Sequence, residues 1–586
     1  MPEPIETRWI EVPTEQYADA IMAATKLGGV ENLWFCSGSE LAFFQEASAR
    51  AKALNLPAPR IRTAIHEHVA LCQALGEQMI TGRPVAVCAH VELGLLNMGG
   101  ALHIAYRGDY PALIMSGYPP SAYPGSVPGA RDNTVFWQQQ QWDQGQIIRQ
   151  YVKWDHKLGV YDNPAMVVTR ALQVAQTPQT GPVYLAIPRE VGMTPTGGVT
   201  RFPGPDLLAP APGPVPDPTL LREAARLLAA AERPAIVVER SGRNHAAVEV
   251  LAELAAEIGA WVASADHKMN ISEASGLKAS TPRGQSADLS NADVVLVIDK
   301  QVPWLPGPNA PGAEAKIIVL DMDPIQRRIA LFEFPADLRL AGDSGSTLPL
   351  LLEEVRRALT SPQREAAAKR TGSIRQANAR RREDAERAAI EDARLPYLSR
   401  RWAAYEVGRF IDDDTVVVNE AGEIAFIRRN KPGTMFVGGG GASLGWGAAA
   451  AVGAKVARPD LNFVCLSGDG SYNFSVPSAW QWSARQYKAP TLTAVFNNRG
   501  YSTGTTTVAQ TFPEGYAMRS MDLEGGWFDP PPDYSAECAA SGGFGEKVVA
   551  PDQVRPALER AWQAVTRDGV PAVLDFWLPK HVTQET

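Results

Sequence analysis

Short apolar runs alternate with longer Ala- and Leu-rich stretches in three successive blocks of the chain. Continuous apolar runs between helical stretches are typical of parallel strands covered on both faces. The predicted strands are 84–89, 111–117 and 181–188 in the first block, 234–239, 259–264, 293–299 and 315–323 in the second, and 415–420, 462–470, 490–498 and 571–578 in the third. This pattern predicts an α/β protein of three doubly wound parallel-sheet domains.

Two segments separate the blocks. Residues 194–218 are dense in Pro and Gly, which disfavours helix interiors and central strands, so we predict a linker. Residues 361–394 are charged and helix-prone without a clean apolar stripe, which indicates a surface helix or connector. The predicted domains are therefore 1–193, 219–360 and 395–586.

Composition argues against several classes of protein. The 586 residues carry a formal net charge of −8, which disfavours nucleic acid as a partner. No apolar run is long enough to suggest a transmembrane helix, and the acidic start "MPEPIETRWIEVP" lacks the apolar core of a secretory signal. The five cysteines are scattered without a CxxC pair, so we predict buried thiols in a cytoplasmic protein.

Polar residues end two neighbouring predicted strands in the third block. Asp469 stands between two glycines after one strand, and Asn497 and Asn498 end the next. Because the intervening helix returns the chain to the same sheet edge, we expect the acid and the amides to converge. Carboxylate and amide oxygens suit Mg²⁺, which also accepts phosphate oxygens as ligands.

The residues around Asp469 add a phosphate site to this prediction. Gly468 and Gly470 permit close approach of the backbone, and a helix starting near Ser471 would direct its N–H groups at an anion. We therefore predict a clamp for a metal ion and a diphosphate.

The stretch from Gly468 to Asn498 resembles the GDG…NN signature of thiamine diphosphate enzymes. The resemblance implies that Mg²⁺ is bound by Asp469, Asn498 and the backbone carbonyl of Gly500. It also implies cofactor contacts from a wider set of residues: Glu420, Gly422, Glu423, Gly468, Gly470, Ser471 and Tyr501.

A second motif, "IRTAIHEHVALCQALGEQMITGRP", resembles the region of the family's catalytic glutamate and identifies Glu67. The resemblance implies that Glu67 lies beside N1′ of the cofactor's aminopyrimidine and converts the 4′-amino group to an imino base. The apolar residues Ile65, Val69 and Leu71 predict an apolar surround that keeps this acid protonated. We interpret His68 as a packing or orienting neighbour.

The Gly-rich segment 438–457 contains Gly445, Gly447 and Ala450 at the spacing of a dinucleotide fingerprint. It follows a run of glycines rather than a buried strand, so that interpretation is weak. The segment resembles instead the family's loop that bends the cofactor. The resemblance implies that Leu444 wedges between the two cofactor rings and that the Ala442 carbonyl accepts from the 4′-amino group.

Three further residues are candidates for substrate chemistry. His90 follows a predicted strand and resembles the proton-relay histidine of benzoylformate decarboxylase, although a structural role is the alternative. Ser39, in "CSGSEL", resembles the same enzyme's substrate-binding loop. Gln140 or Gln141 lies where acetolactate synthase relatives carry an active-site glutamine, although a solvated loop is equally compatible with the sequence.

An aromatic-rich segment follows the two asparagines and forms either a lid or pocket wall for a sizeable substrate or part of the core; its members are Tyr501, Phe512, Tyr516, Trp527, Phe528 and Tyr534.

In the central domain, "VVERSGRN" lacks the glycine pair expected for FAD, so FAD is not expected. An ADP or CoA nucleotide is an alternative there, but we favour ordinary surface charges for Arg240, Arg243, Lys300 and Arg327.

The resemblance covers nearly the whole chain and implies a homodimer or homotetramer with its active sites at the subunit interface. It implies a thiamine diphosphate- and Mg²⁺-dependent enzyme that breaks or forms C–C bonds of a 2-oxo acid, similar to acetolactate synthase. A 2-hydroxyacyl-CoA lyase or an enzyme similar to oxalyl-CoA decarboxylase is the alternative. A nicotinamide dehydrogenase is disfavoured, because it would need a true dinucleotide fingerprint after a strand and the sequence contains none. A non-catalytic cofactor-binding protein is disfavoured, because it would not need to retain Glu67.

Overall fold

The computed structural model describes residues 8–264, 267–279, 287–421, 425–438, 441 and 443–580. Its N-terminal strands are β1 (Trp9–Gln16), β2 (Asn32–Phe35), β3 (Arg60–Thr63), β4 (Val85–Ala89), β5 (Ala112–Tyr118), β6 (Asp155–Lys157), β7 (Val183–Pro188) and β8 (Pro195–Pro203). The helices of this part are α1 (Tyr17–Leu27), α2 (Ala42–Leu54), α3 (Glu67–Thr81), α4 (Val91–Asn97), α5 (Gly99–Arg107), α6 (Val135–Gln138), α7 (Pro164–Gln176) and α8 (Arg189–Gly192).

The central part follows the same alternation. Its strands are β9 (Pro234–Val238), β10 (Trp261–Ser264), β11 (Lys278–Ala279), β12 (Val294–Ile298), β13 (Lys316–Asp321) and β14 (Leu338–Ala341). Its helices are α9 (Pro218–Ala230), α10 (His245–Ile258), α11 (Ser344–Ala358) and the long α12 (Ser361–Asp392).

The C-terminal part completes the fold. Its strands are β15 (Val416–Asn419), β16 (Met435–Val437), β17 (Phe463–Gly468), β18 (Leu492–Asn497), β19 (Phe544–Val548) and β20 (Ala572–Trp577). Its helices are α13 (Arg400–Phe410), α14 (Gly447–Ala457), α15 (Asp469–Phe474), α16 (Pro477–Gln486), α17 (Ser502–Thr511), α18 (Tyr516–Ser520), α19 (Tyr534–Ala540) and α20 (Val554–Gln563).

Three parallel sheets confirm the predicted fold class. Their strand orders are β3-β2-β4-β5-β7-β6, β11-β10-β9-β12-β13-β14 and β16-β15-β17-β18-β20-β19. Inner strands such as β4, β12 and β18 are buried along their whole length, as expected when helices cover both faces of a sheet. All the predicted strands are present with small shifts at their ends. The observed strands that the sequence pattern does not predict are mostly short, polar or at sheet edges.

The two predicted connecting segments have different outcomes. The linker prediction is wrong for residues 195–203, which form β8 and pair antiparallel with β1. The prolines lie at the ends of β8, and Gly197 and Gly198 take left-handed backbone angles. The helix predicted within 361–394 is confirmed by α12, which buries few residues and is mostly exposed.

The predicted state of the cysteines is also confirmed. All five cysteines are free thiols and all are buried: Cys36, Cys72, Cys88, Cys465 and Cys538.

α12 is the longest of the described helices and is highly charged, and no helix in the described ranges has the length and hydropathy needed to cross a bilayer.

The chain divides into two compact units that are discontinuous in sequence. The first unit comprises residues 1–212, 438–460 and 473–489, and the second comprises 213–437, 461–472 and 490–586. The first unit thus contains the N-terminal sheet together with α14 and α16. Within it, α3 packs closely against α14 because small residues line the crossing. A Cβ at Gly76 would lie 1.8 Å from the Ala450 carbonyl oxygen, and one at Gly453 would lie 1.9 Å from that of Gln73.

Replacing Gly76 with alanine will therefore destabilise the first unit, although alanine is the better helix former. The new methyl group meets backbone on the facing helix, which cannot rotate away, so we expect a cost of about 3 kcal/mol or more. Thermal unfolding followed by circular dichroism measures it. The control is Gly372→Ala in α12, where a Cβ meets nothing within 4 Å and stability should be unchanged or slightly higher. Equal melting temperatures for G76A and wild type would contradict the close crossing.

Candidate active site

The ends of β17 and β18 meet in the second unit, as the sequence predicts. The two strands are parallel neighbours, with Gly468 paired to Phe496. Asp469 is buried directly after β17, and its Oδ2 accepts a hydrogen bond of 2.8 Å from the backbone N–H of Gly500. The strand–helix–strand unit therefore brings the predicted acid and the segment after β18 together.

The chemistry of these residues fits a divalent cation. Burial raises the pKa of Asp469 to about 6, although hydrogen bonds from the backbone N–H groups of Gly500, Gly470 and Arg499 act to lower it. Asn498 is buried, and its Oδ1 has no hydrogen-bond partner among the described residues. A cation between these groups would satisfy both of them. Among the described residues, no group of three or more His, Cys, Asp or Glu side chains could hold a metal ion by itself.

The surroundings leave room for an anionic ligand. A Cβ at Gly468 would meet nothing within 4 Å, and one at Gly470 would touch only the Tyr501 ring. Ser471 is buried in α15, which begins at Asp469, two residues earlier than predicted. Glu420 is half-buried at the end of β15, and its N–H donates to Leu466. Gly422, Glu423 and Ala442 lie outside the described residues.

The neighbouring asparagine has a different role from Asn498. Asn497 Nδ2 donates to Asp575 Oδ1 at 2.8 Å, and its Oδ1 accepts from the backbone N–H of Arg499. Arg499 takes a left-handed φ of 63°. Asn497 thus fixes the turn that presents the next residues, while Asn498 keeps an oxygen available.

The carboxyl ends of β3, β2 and β4 gather a second group of side chains in the first unit. Glu67 begins α3 shortly after β3, and His90 follows β4. Between these strands, β2 leads into the 3₁₀ turn Ser39–Leu41. His90 Nε2 donates to Glu40 Oε2 at 2.7 Å, and Ser39 Oγ donates to the same oxygen at 2.8 Å. The predicted residues Ser39 and His90 are therefore held together by Glu40, which is not among the predicted site residues.

A single chain leaves Glu67 without the apolar surround that the sequence predicts. Glu67 is half-buried rather than enclosed, and its Oε2 accepts a hydrogen bond of 3.0 Å from Asn97 Nδ2. Ile65 is 54% exposed. The physical reason is that Val69 and Leu71 face the core of the first unit, whereas Glu67 occupies the first position of α3, at the helix end.

The Gly-rich loop places one candidate at the surface of the first unit. Leu444 is 42% exposed, although the two residues that follow it, Gly445 and Trp446, are buried. The next residue, Gly445, has a φ of 87°, and a Cβ there would collide with the backbone of Phe474. His68 is buried and donates from Nε2 to the Gly445 carbonyl at 3.1 Å, and burial lowers its pKa. His68 is thus a packing residue, as predicted.

The predicted glutamines lie in an exposed loop. The side chain of Gln140 bonds to Arg131, and the backbone carbonyl of Gln141 accepts from the Tyr118 hydroxyl at 3.1 Å. A third glutamine was missed. Gln144 is buried, and its Nε2 donates to Ser116, Gly117 and Tyr184, so it fixes the base of this loop.

The aromatic segment after β18 is mixed in character. Tyr534 is buried against Tyr472, with ring centroids 4.7 Å apart, and belongs to the core. Tyr501, Phe512 and Tyr516 are exposed, with the Tyr501 ring edge-on to that of Phe528. The core interpretation therefore holds for Tyr534 alone of these four.

The basic residues of the central domain are paired with acids. Arg243 contacts Asp299 at 3.3 Å and Asp343 at 3.4 Å, Lys300 contacts Glu239 at 3.3 Å, and Arg327 contacts Asp323 at 3.0 Å. The surface interpretation suits Arg327, whose side chain is 72% exposed. It is wrong for Arg240, which is buried and donates to the Asp299 carbonyl.

Family models match all three parts of the chain. They are described as the N-terminal TPP binding domain (residues 15–147), the central domain (221–351) and the C-terminal TPP binding domain (420–576) of thiamine pyrophosphate enzymes. A benzoylformate decarboxylase of Pseudomonas aeruginosa is 28% identical over 75% of this chain and 78% of its own. A probable acetolactate synthase of Mycobacterium bovis is 26% identical over 94% of this chain and 93% of its own.

Solved structures share the fold. A thiamine diphosphate-dependent 4-hydroxybenzoylformate decarboxylase of Rhodococcus jostii RHA1 superposes with a TM-score of 0.75 at 20% identity, over 97% of this chain and all of the other. At this identity the likeness concerns the fold alone.

Proposed function

Because the chain belongs to the thiamine diphosphate-dependent enzymes, we propose that it decarboxylates a 2-oxo acid, with or without transfer of the remaining acyl group to a second carbonyl compound. The observation that carries the proposal is His90, a partly exposed histidine held by a buried carboxylate in electrostatic reach of Glu67. Loss of CO₂ leaves an electron pair that must be protonated to give an aldehyde, and a histidine whose pKa is raised by a bonded carboxylate is suited to that step.

Mg²⁺ and the cofactor diphosphate would be held by the second unit. Asp469, Asn498 and the carbonyl of Gly500 would bind the ion, and Gly470 and Ser471 would lie against the phosphates. Two observations support this assignment: Asp469 is buried, and Asn498 Oδ1 has no hydrogen-bond partner in the part of the chain that the structure describes. When bound, thiamine diphosphate supplies a carbon nucleophile and an electron sink for the bond next to a carbonyl group.

The first unit would supply the acid–base groups. Glu67 would hold a proton towards the aminopyrimidine, with Asn97 fixing its carboxylate. Leu444 would contact the cofactor, and Gln140 and Ser39 would line the substrate side. A second copy of the chain would cover the half-buried Glu67 and the exposed Leu444, and this partial exposure in one chain supports a homodimer or homotetramer with shared sites.

Carbon dioxide release tests the proposal directly. Protein saturated with thiamine diphosphate and Mg²⁺ is supplied with pyruvate, with longer aliphatic 2-oxo acids and with aromatic ones, and the products are identified in the same samples. We expect release from at least one acid and none without cofactor. Full cofactor binding with no release from any of them would overturn the proposal, and cleavage of a 2-hydroxyacyl-CoA in parallel samples would replace it.

A further inference from the structure

The contact between Glu40 and His90 is enclosed by the fold. The Glu40 side chain is fully buried, whereas that of His90 is 25% exposed. Gly38 makes the contact possible, because a Cβ at that position would lie 1.9 Å from Cδ2 of the His90 ring. Any larger residue there would push the ring away from the carboxylate. The turn after β2 therefore needs glycine at position 38 to leave space for the His90 ring, which follows β4.

The charges around the pair favour an ion pair. Burial alone would raise the pKa of Glu40, but the hydrogen bonds from His90 and Ser39 lower it below its ordinary value. The pKa of His90 is raised, first by the hydrogen bond to Glu40, against the effect of burial, and then by the charges of Glu40, Glu67 and Glu92. These three carboxyl groups come from the turn after β2, from α3 and from α4.

Two further groups near the pair are Cys36 and Glu92. Burial raises the pKa of the Cys36 thiol, with a contribution from Glu67. The Glu92 carboxyl interacts with the side chain of Gln141, and burial raises its pKa. Glu40 is therefore the acid that bonds His90 directly and whose charge is stabilised by that bond.

We propose that Glu40 is a positioning residue that keeps His90 protonated and commits its Nε2, so that Nδ1 delivers the proton in the decarboxylation proposed above. The inference rests on that proposed function. As the bond to CO₂ breaks, its electron pair stays on the former carbonyl carbon, and the proton of Nδ1 forms the new C–H bond. Neutral His90 then regains a proton from water, while Glu40 remains ionised throughout.

Replacing Glu40 with glutamine tests the charge while keeping a hydrogen-bond acceptor for Nε2. The first readout is the His90 pKa in cofactor-free protein, from NMR titration of the imidazole signals, assigned by their loss in H90Q. We expect the wild-type value to lie above the ordinary value of about 6.5 and to fall by about one unit or more in E40Q. The matched control, Glu92→Gln, removes a carboxyl that faces His90 without bonding it, and should give a smaller fall.

The second readout is the pH dependence of turnover with the substrate found in the release assay. A raised histidine pKa means that the protonated form persists to higher pH, so turnover declines on the alkaline side. In E40Q this decline should move to lower pH by the same amount, and turnover at acidic pH should approach wild type. An equal loss at every pH would assign Glu40 a packing role only, and would overturn the proposal.

A second variant covers the case in which E40Q fails to fold. Gly38→Ala displaces the ring from an intact Glu40 and should also lower the His90 pKa. An unchanged His90 pKa in a folded variant of either kind would overturn the inference. Because the NMR measurement needs no substrate, it separates failure of this inference from failure of the proposed decarboxylation.

Discussion

Replacing Glu67 with glutamine will lower turnover by about 10²–10⁴-fold, the usual contribution of a positioned acid–base group. Glutamine keeps the shape and can still accept from Asn97, which now bonds Oε2 at 3.0 Å, but it cannot exchange a proton with the cofactor. Cofactor affinity should change little, because Glu67 would not contact the diphosphate. Steady-state turnover and isothermal titration with thiamine diphosphate and Mg²⁺ measure the two quantities.

The control for this variant is Glu46→Gln in α2, whose side chain is 63% exposed and whose loss should leave turnover unchanged. Wild-type turnover in E67Q would remove Glu67 from the mechanism. A parallel loss of turnover and of cofactor affinity would mean that the residue mainly binds rather than exchanges protons.

Replacing Asp469 with asparagine will weaken binding of thiamine diphosphate with Mg²⁺ by about 100-fold or more, because the charged metal ligand is lost. Asparagine can still accept the hydrogen bond from the Gly500 N–H, so the local turn should survive. The melting temperature of the cofactor-free protein should therefore stay near wild type, while the rise on adding cofactor disappears.

Titration calorimetry and thermal unfolding, each with and without Mg²⁺, measure these effects. The matched control is Asp460→Asn, an exposed acid paired with Arg458, which should retain wild-type affinity. Unaltered affinity in D469N would show that the diphosphate site lies elsewhere. A large fall in the cofactor-free melting temperature would identify Asp469 as a structural residue instead.

The meeting of Asp469 with the segment after β18 was predictable because one physical rule determines it. Two long apolar strands joined by a helix must return to the same sheet edge, and the residues that follow them then lie together. Whether Asn498 binds a metal is a separate matter that the spacing does not decide.

Glu40 was not predictable in the same way. β2 has only four residues, too few to show a pattern, so the turn that follows it could not be assigned to a strand end. Glu67 shows a different limit, since Val69 and Leu71 face the core of the first unit and Ile65 is exposed, rather than packing around the carboxyl group. Arg240 shows a third limit of prediction from the sequence. A charged residue at the end of a buried strand has the same sequence pattern as a surface charge until its acidic partners are known.

The crossing of α3 and α14 has a consequence for how the protein is made. α3 is complete at residue 81, but its partner helix ends at residue 457, so some 376 residues separate them. At about 5–20 residues per second of synthesis, α3 waits roughly 20–75 seconds for the surface that covers Gly76. During that interval the face of α3 that α14 later covers stays exposed to chaperones and to other newly synthesised proteins. An N-terminal fragment ending at residue 212 would keep that face open permanently, and we expect such fragments to aggregate.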